Sequence, residues 1–109
     1  MGLFSRGRRS ARKEDRGVRD AAQDHLEAFA GSRRGVEGFV EPETPTTPTT
    51  LVLVAGDGEW TRRRLASTEA FALGKRLGMP VYDVAAVGYP TRMREWTARR
   101  KAAGETGPA

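Results

Sequence analysis

Apolar and polar positions follow one another along this chain in segments of changing period, and those periods predict its elements. The clearest segment is Thr49–Leu65, TTLVLVAGDGEWTRRRL. Leu51, Val52, Leu53 and Val54 are apolar without interruption, as in a strand covered on both faces, so this run reads as the centre of a sheet. Asp57-Gly58 is a hairpin signal, because a type I′ turn takes positive φ at both central residues. With these two in the loop, Ala55 faces Trp60, Leu53 faces Arg62 and Leu51 faces Arg64. A three-residue loop, Gly56 to Gly58, places Val54 opposite Trp60 instead, and one residue of slip changes every cross-strand partner. The two-residue loop is the preferred reading. In both registers Trp60, Arg62 and Arg64 share one face, and Thr61, Arg63 and Leu65 the other.

Upstream, residues 12–30 carry Val18, Ala22, His25, Leu26 and Phe29 at helical spacing, and Gly31 is a natural stop. Val36–Glu41 alternates as a strand does, with Val36, Gly38 and Val40 on one side and Phe39 between two glutamates on the other. An antiparallel pairing with Leu51–Val54 is expected. Pro42–Thr49 is Pro- and Thr-rich and reads as an extended connector.

Downstream, Ser67 suits an N-cap, and Ala70, Leu73, Gly74 and Leu77 form a stripe over residues 67–77. Gly78 and Pro80 end that helix. Val81–Val84 is a short strand, so strand, helix and strand suggest a βαβ crossover. A last helix comes after Gly88-Tyr89-Pro90, with Pro90 as its first residue or Thr91 as its cap. Met93, Trp96 and Arg100 share one of its faces, and Glu95 with Arg99 are spaced as an i,i+4 pair.

The predicted fold is α+β: a small three- to four-stranded mixed sheet built on a β-hairpin at about residues 50–65. The N-terminal helix packs on one face. The 67–77 helix lies on the other face or beside it, and the C-terminal helix closes an edge. The domain reading is a disordered basic arm at 1–13, a single α+β domain at 14–101 and a flexible tail at 102–109.

The motifs Val36–Glu41, VLVAGDGEWTRRR from Val52 to Arg64, LGMPVYDV from Leu77 to Val84 and VGYPTRMREW from Val87 to Trp96 give the chain a likeness over residues 36–100. In them it resembles a family of short basic actinobacterial proteins with no established activity. The resemblance implies a self-contained small module and brings no catalytic residue, cofactor or partner with it.

Composition changes this picture in two ways. The 109 residues include no cysteine, which removes disulfides and thiolate metal sites, and no apolar run approaches a membrane span or a signal-peptide core. The chain is therefore read as cytoplasmic, with no integral membrane association. Met1-Gly2 resembles the start of an N-myristoylation signal, but Arg6 stands where Ser or Thr is required. Leu3 and Phe4 before the basic run offer at most marginal contact with an anionic membrane.

The second change is charge. The net charge is +5 and the isoelectric point about 10.4. Residues 1–13 hold five cations and no acid, residues 14–61 four cations and ten acids, and residues 62–109 ten cations and four acids. A basic, Arg-rich half points toward an anionic polymer, RNA or DNA, since guanidinium groups pair with phosphates and indoles stack on bases. The candidate contacts are Arg62, Arg64, Arg92, Arg94, Arg99 and Arg100. Against this, a Trp in a short chain is usually core, with arginine stems covering its edges. An Ala-, Gly- and Arg-rich composition is also the product of GC-rich coding.

No catalytic residue, cofactor or metal-ligand set is assigned. His25 is alone and lies on or beside the apolar stripe, as a packed residue does. Tyr82-Asp83 and Tyr89-Pro90 are possible polar site residues, and Asp83 in a buried strand calls for a partner such as Arg62, Arg64 or Arg92. Gly56-Asp57-Gly58 joins two strands and opens no helix, so it is not a phosphate loop. The leading functional reading is a non-enzymatic binding module for nucleic acid. The alternative is a protein-interaction or accessory subunit using a sheet edge or the Met93/Trp96 face. An enzyme of unrecognised type stands third.

Overall fold

A computed structural model describes residues 2–105 and 107, with residues 2–15 described as backbone only. The elements in chain order are α1 (Gly2–Ser32), β1 (Glu37–Glu41), β2 (Thr50–Val54), β3 (Trp60–Arg64), α2 (Ser67–Leu77), β4 (Val81–Asp83), α3 (Val84–Val87) and α4 (Thr91–Ala102). The four strands form one mixed sheet in the order β3-β2-β1-β4. β2 is antiparallel to both neighbours, and β4 joins β1 in parallel. The fold is α+β, as predicted.

β2 is central because both its faces are apolar, and each face is buried against different elements. On the first face Leu51, Leu53 and Ala55 pack with Val40, Leu65, Leu26 and Phe29 of α1, and Ala70 and Leu73 of α2. On the second face Val52 and Val54 pack with Phe39 and Met93, the latter from α4. Leu51, Leu53, Val52 and Val54 have no exposed surface. Each such side chain contributes about 1.5–3 kcal/mol of burial.

The helices are arranged differently from the prediction in one respect. α1 and α2 share the first face, which is the "beside" arrangement. α4 lies on the second face rather than closing an edge. The reason is Phe39: with Val52 and Val54 it makes an apolar strip that needs a cover, and Met93 supplies it.

The hairpin takes the other register. Val54 pairs with Trp60, Leu53 with Thr61, Val52 with Arg62 and Leu51 with Arg63. The Ala55 amide donates to the Glu59 carbonyl and the Gly58 amide to the Ala55 carbonyl, so the loop is Gly56-Asp57-Gly58. Gly58 alone of the three has positive φ, at 95°. That is a type I turn closed by a left-handed glycine, not the type I′ turn that Asp57-Gly58 suggested. Asp57 instead accepts from the Glu59 amide through its side chain. Packing makes the choice: a Cβ at Gly58 would meet the Arg92 carbonyl oxygen at 2.0 Å, so α4 sits directly on the loop.

Element boundaries differ in several places. α1 begins at Gly2, so the stretch expected as a disordered arm continues the helical backbone. Arg, Ala and Lys are good helix formers, and only Gly7 interrupts them. Ala66, not Ser67, occupies the cap of α2, because the Leu65 amide, donating a hydrogen bond to the Thr49 carbonyl, holds Leu65 to the sheet and the helix starts at once. Pro90 is the cap of α4 and Thr91 its first residue, a start that falls between the two expected ones. β3 and β4 do run parallel, but at opposite edges, with β2 and β1 between them. Gly74 permits this crossing, since a Cβ there would meet a Val81 methyl at 2.3 Å. Met1, Thr106, Pro108 and Ala109 lie outside the described residues, and with them most of the predicted end of the tail.

Candidate functional site

The arginines singled out in the sequence do not form one surface. Arg62, on β3, lays its guanidinium on Glu41, with Nε at 2.6 Å from one carboxylate oxygen and Nη2 at 2.9 Å from the other. Arg92, on α4, reaches back to the sheet. Its Nη2 donates to Glu37 at 2.7 Å and its Nε to the Ala55 carbonyl at 2.9 Å. Arg99 donates to the Asp57 carbonyl. Arg100 covers the Trp96 ring and pairs with Glu105. Arg64 lines a depression at the other side of the sheet with Val18, Arg19 and Glu69. Arg64 and Arg94 have no ion-pair partner among the described residues.

The segregation of charge along the sequence is thus consumed in part by pairs within the fold. The acidic middle and the basic half meet as Glu41–Arg62, Glu37–Arg92 and Glu27–Arg76. Glu59 takes Arg33 instead. The expected Glu95–Arg99 pair is absent from the described residues, because Arg99 is drawn to the hairpin carbonyl.

Both tryptophans are half-buried and occupied. Trp60 packs on Val52, Val54 and Met93, donates from Nε1 to Thr97 at 2.9 Å and carries Arg62 over its ring. Trp96 lies against Gly58 and under Arg100. Neither is an open stacking platform.

His25 is packed, as expected. Its Nε2 lies 2.7 Å from the buried Thr61 hydroxyl, and Arg63 donates to Nδ1 at 3.3 Å. Arginine can only donate, so Nδ1 accepts and Nε2 carries the proton. Burial first, then the charges of Arg63 and Arg33, push its pKa below the ordinary histidine value. Asp83 has no arginine partner among the described residues. It ends β4, is exposed and caps the one-turn α3 by accepting from the Ala85 amide at 2.8 Å. The strand is shorter than predicted, so its carboxylate never enters the core.

The chain beyond that cap builds the candidate site. α3 ends at Gly88, whose φ is 73°, and the backbone then returns over the second sheet face as Tyr89-Pro90. β1 presents Glu37, Phe39 and Glu41 on that face. The Tyr89 hydroxyl donates to Glu41, and Thr50 donates to the same carboxylate at 2.7 Å. Glu41 therefore accepts from Arg62, Tyr89 and Thr50 together. Burial pushes its carboxyl pKa upward, but the hydrogen bonds from these three residues and the Arg62 charge outweigh that and hold it below the ordinary value. Burial, then the hydrogen bond to and charge of Glu41, raise the Tyr89 hydroxyl above an ordinary phenol.

Three depressions meet at Tyr89. One of about 450 Å³ is walled by Glu41, Thr44, Thr47, Thr50, Arg62 and Val84. One of about 260 Å³ lies over Phe39, Tyr82, Val87 and Pro90. The third, about 340 Å³, runs along α4 past Met93, Arg94, Thr97, Ala98 and Lys101. Tyr82, Val87 and Tyr89 are 38%, 57% and 42% exposed. Phe39 and Tyr82 stack with ring centroids 5.6 Å apart. The result is a shallow, mainly apolar groove whose wall is fixed by a saturated polar network.

The Glu41 carboxylate accepts from Arg62, Tyr89 and Thr50 and its pKa lies below the ordinary value, so it is a weaker base than a free carboxylate. Among the described residues no group of His, Cys, Asp and Glu could hold a metal ion, and no helix is long and apolar enough to cross a membrane. Sequence reasoning singled out Tyr89 but not Glu41. The signal was present: Glu37 and Glu41 flank Phe39 on one face, two strands from arginines that need partners. Scans of protein-family models, curated proteins and solved structures give no match to this chain.

Proposed function

We propose that the protein is a non-catalytic interaction module that holds a partner protein in the groove around Tyr89. The carrying observation is the meeting of three depressions at one anchored tyrosine, with exposed Tyr82 and Val87 beside it. Apolar, aromatic-lined concavities on a small protein are interaction surfaces more often than inert ones. The groove is also pre-organised, since the Glu41 network orders Tyr89 before a partner arrives, and that lowers the entropy lost on binding.

The nucleic-acid reading of Arg62, Arg64, Arg92, Arg94, Arg99 and Arg100 is weaker on this geometry. Arg62, Arg92 and Arg100 are neutralised by carboxylates, and both indoles are occupied. Affinity capture at high salt distinguishes the two. A partner retained at about 0.5 M salt by the wild type, lost with Val87→Glu and kept with the distant Lys75→Glu, supports the groove. Oligonucleotide binding that falls steeply with salt and weakens with Arg64→Ala and Arg94→Ala, with no salt-resistant partner, overturns it.

A further inference from the structure

Resting on the reading of the groove as a protein-binding site, we infer that its α4 arm takes an acidic peptide segment bearing an apolar anchor. The arm is the depression of about 340 Å³ lined by Tyr89, Met93, Arg94, Thr97, Ala98 and Lys101. Its floor is apolar, with Met93 buried beneath and Ala98 too small to fill the space. Its rim is purely cationic: no carboxylate lines it, and neither Arg94 nor Lys101 has an ion-pair partner among the described residues.

Beside the sheet Glu37, Glu41 and Glu59 neutralise Arg92, Arg62 and Arg33, whereas Arg63 and Arg64 of β3, like the rim, have no ion-pair partner among the described residues and lie away from the groove. Glu41, which the Tyr89 hydroxyl reaches, is taken up by Arg62 and does not serve the rim. Glu105 is held by Arg100, and Glu95 lies on α4 outside the depression. Thr97 does not compete for a ligand either, because its hydroxyl accepts from Trp60 and donates to the Met93 carbonyl.

Spacing gives the ligand its form. Arg94 and Lys101 are seven residues apart on one helix, which is about 10 Å at 1.5 Å per residue. On an extended peptide, side chains at i, i+2 and i+4 share one face, so two carboxylates four residues apart flank an anchor midway and span about 13 Å, within reach of the long Arg94 and Lys101 side chains. An aromatic or aliphatic side chain between them would enter over Ala98, against the Tyr89 ring and Met93. The apolar anchor supplies affinity, and the charges supply orientation and exclusion of basic segments.

The test is selection of a random dodecapeptide phage library on the immobilised full chain, then fluorescence anisotropy of the enriched peptides. Enriched peptides should carry Asp or Glu on both sides of an apolar residue. Arg94→Glu with Lys101→Glu should weaken them by about tenfold or more, as should Glu→Gln in the peptide. Ala98→Trp, which fills the floor, should abolish binding. Circular dichroism checks that each variant folds. Enrichment of neutral or basic peptides, or of none, overturns the inference. Peptides lost with Ala98→Trp but indifferent to the charge reversal overturn it while leaving the groove reading intact. Peptides indifferent to both changes, and to Val87→Glu, overturn the groove reading as well.

Discussion

Arg62 and Glu41 stand on strands separated by β2, yet the guanidinium of one lies on both carboxylate oxygens of the other, at 2.6 and 2.9 Å. The pair bridges the second sheet face, and Tyr89 closes on it from the α3–α4 connection. Arg62→Ala should therefore lower stability by about 1 kcal/mol, a modest figure because the arginine is 41% exposed. It should also loosen Tyr89. Urea denaturation measures the first effect, and loss of groove binding the second.

Glu41 should make stability depend on pH in a defined direction. Its folded pKa lies below the ordinary 4.5, so in the window beneath 4.5 the unfolded chain binds more protons. Its contribution is present above that value and is lost as the pH falls through the folded pKa. Urea midpoints of wild type and Glu41→Gln should converge in that acid range and diverge above it.

His25 acts in a higher window. Its folded pKa is depressed below 6.5, so protonation on acidification favours the unfolded chain. Stability should fall as the pH drops from 6.5 through the folded value, and His25→Gln should remove that part of the slope. Urea midpoints at one-unit steps from pH 8 to pH 5 check this, and a wild-type profile as flat as the variant's contradicts it.

Gly58→Ala should be the costliest small substitution in the hairpin. A Cβ there meets the Arg92 carbonyl oxygen at 2.0 Å and the Trp96 Cβ at 2.9 Å, with φ at 95° besides. The loss should be about 2 kcal/mol or more. Gly78→Ala, with φ of 66° and open space around it, should cost about 1 kcal/mol. Equal losses in the two variants would remove the role given to α4 in setting the register.

Arg92 and Arg94 are neighbours in sequence and opposites in use. Arg92→Lys keeps the charge but loses the fork that joins Glu37 to the Ala55 carbonyl, and should cost about 1–2 kcal/mol. Arg94→Ala should change stability by less than about 0.5 kcal/mol. Thermal melts of the two variants separate a structural arginine from a rim arginine.

The architecture was legible wherever local pattern carries a single meaning. Alternation in Val36–Glu41 assigned Phe39 and the two glutamates to one face, and the stripe Ala70, Leu73 and Gly74 assigned a helix and its buried side. Legibility failed where two local rules competed. Asp57-Gly58 favoured one turn by propensity, while the contact of Gly58 with α4 required another. Asp83 looked buried because Val81-Tyr82-Asp83-Val84 was read as one strand, whereas Val84 begins a helical turn. For the site, the arginines were visible as residues but not as engaged residues.

By itself the sequence determined the apolar β2, the order and kind of the elements apart from the one-turn α3, and the chemistry available to them, because these depend on residues within a few positions of one another. The tertiary structure decided the hairpin register, the face that α4 covers and the fate of each arginine. Those depend on contacts between Gly58 and Arg92, Met93 and Phe39, and Arg62 and Glu41, pairs far apart along the chain whose meeting no local period encodes.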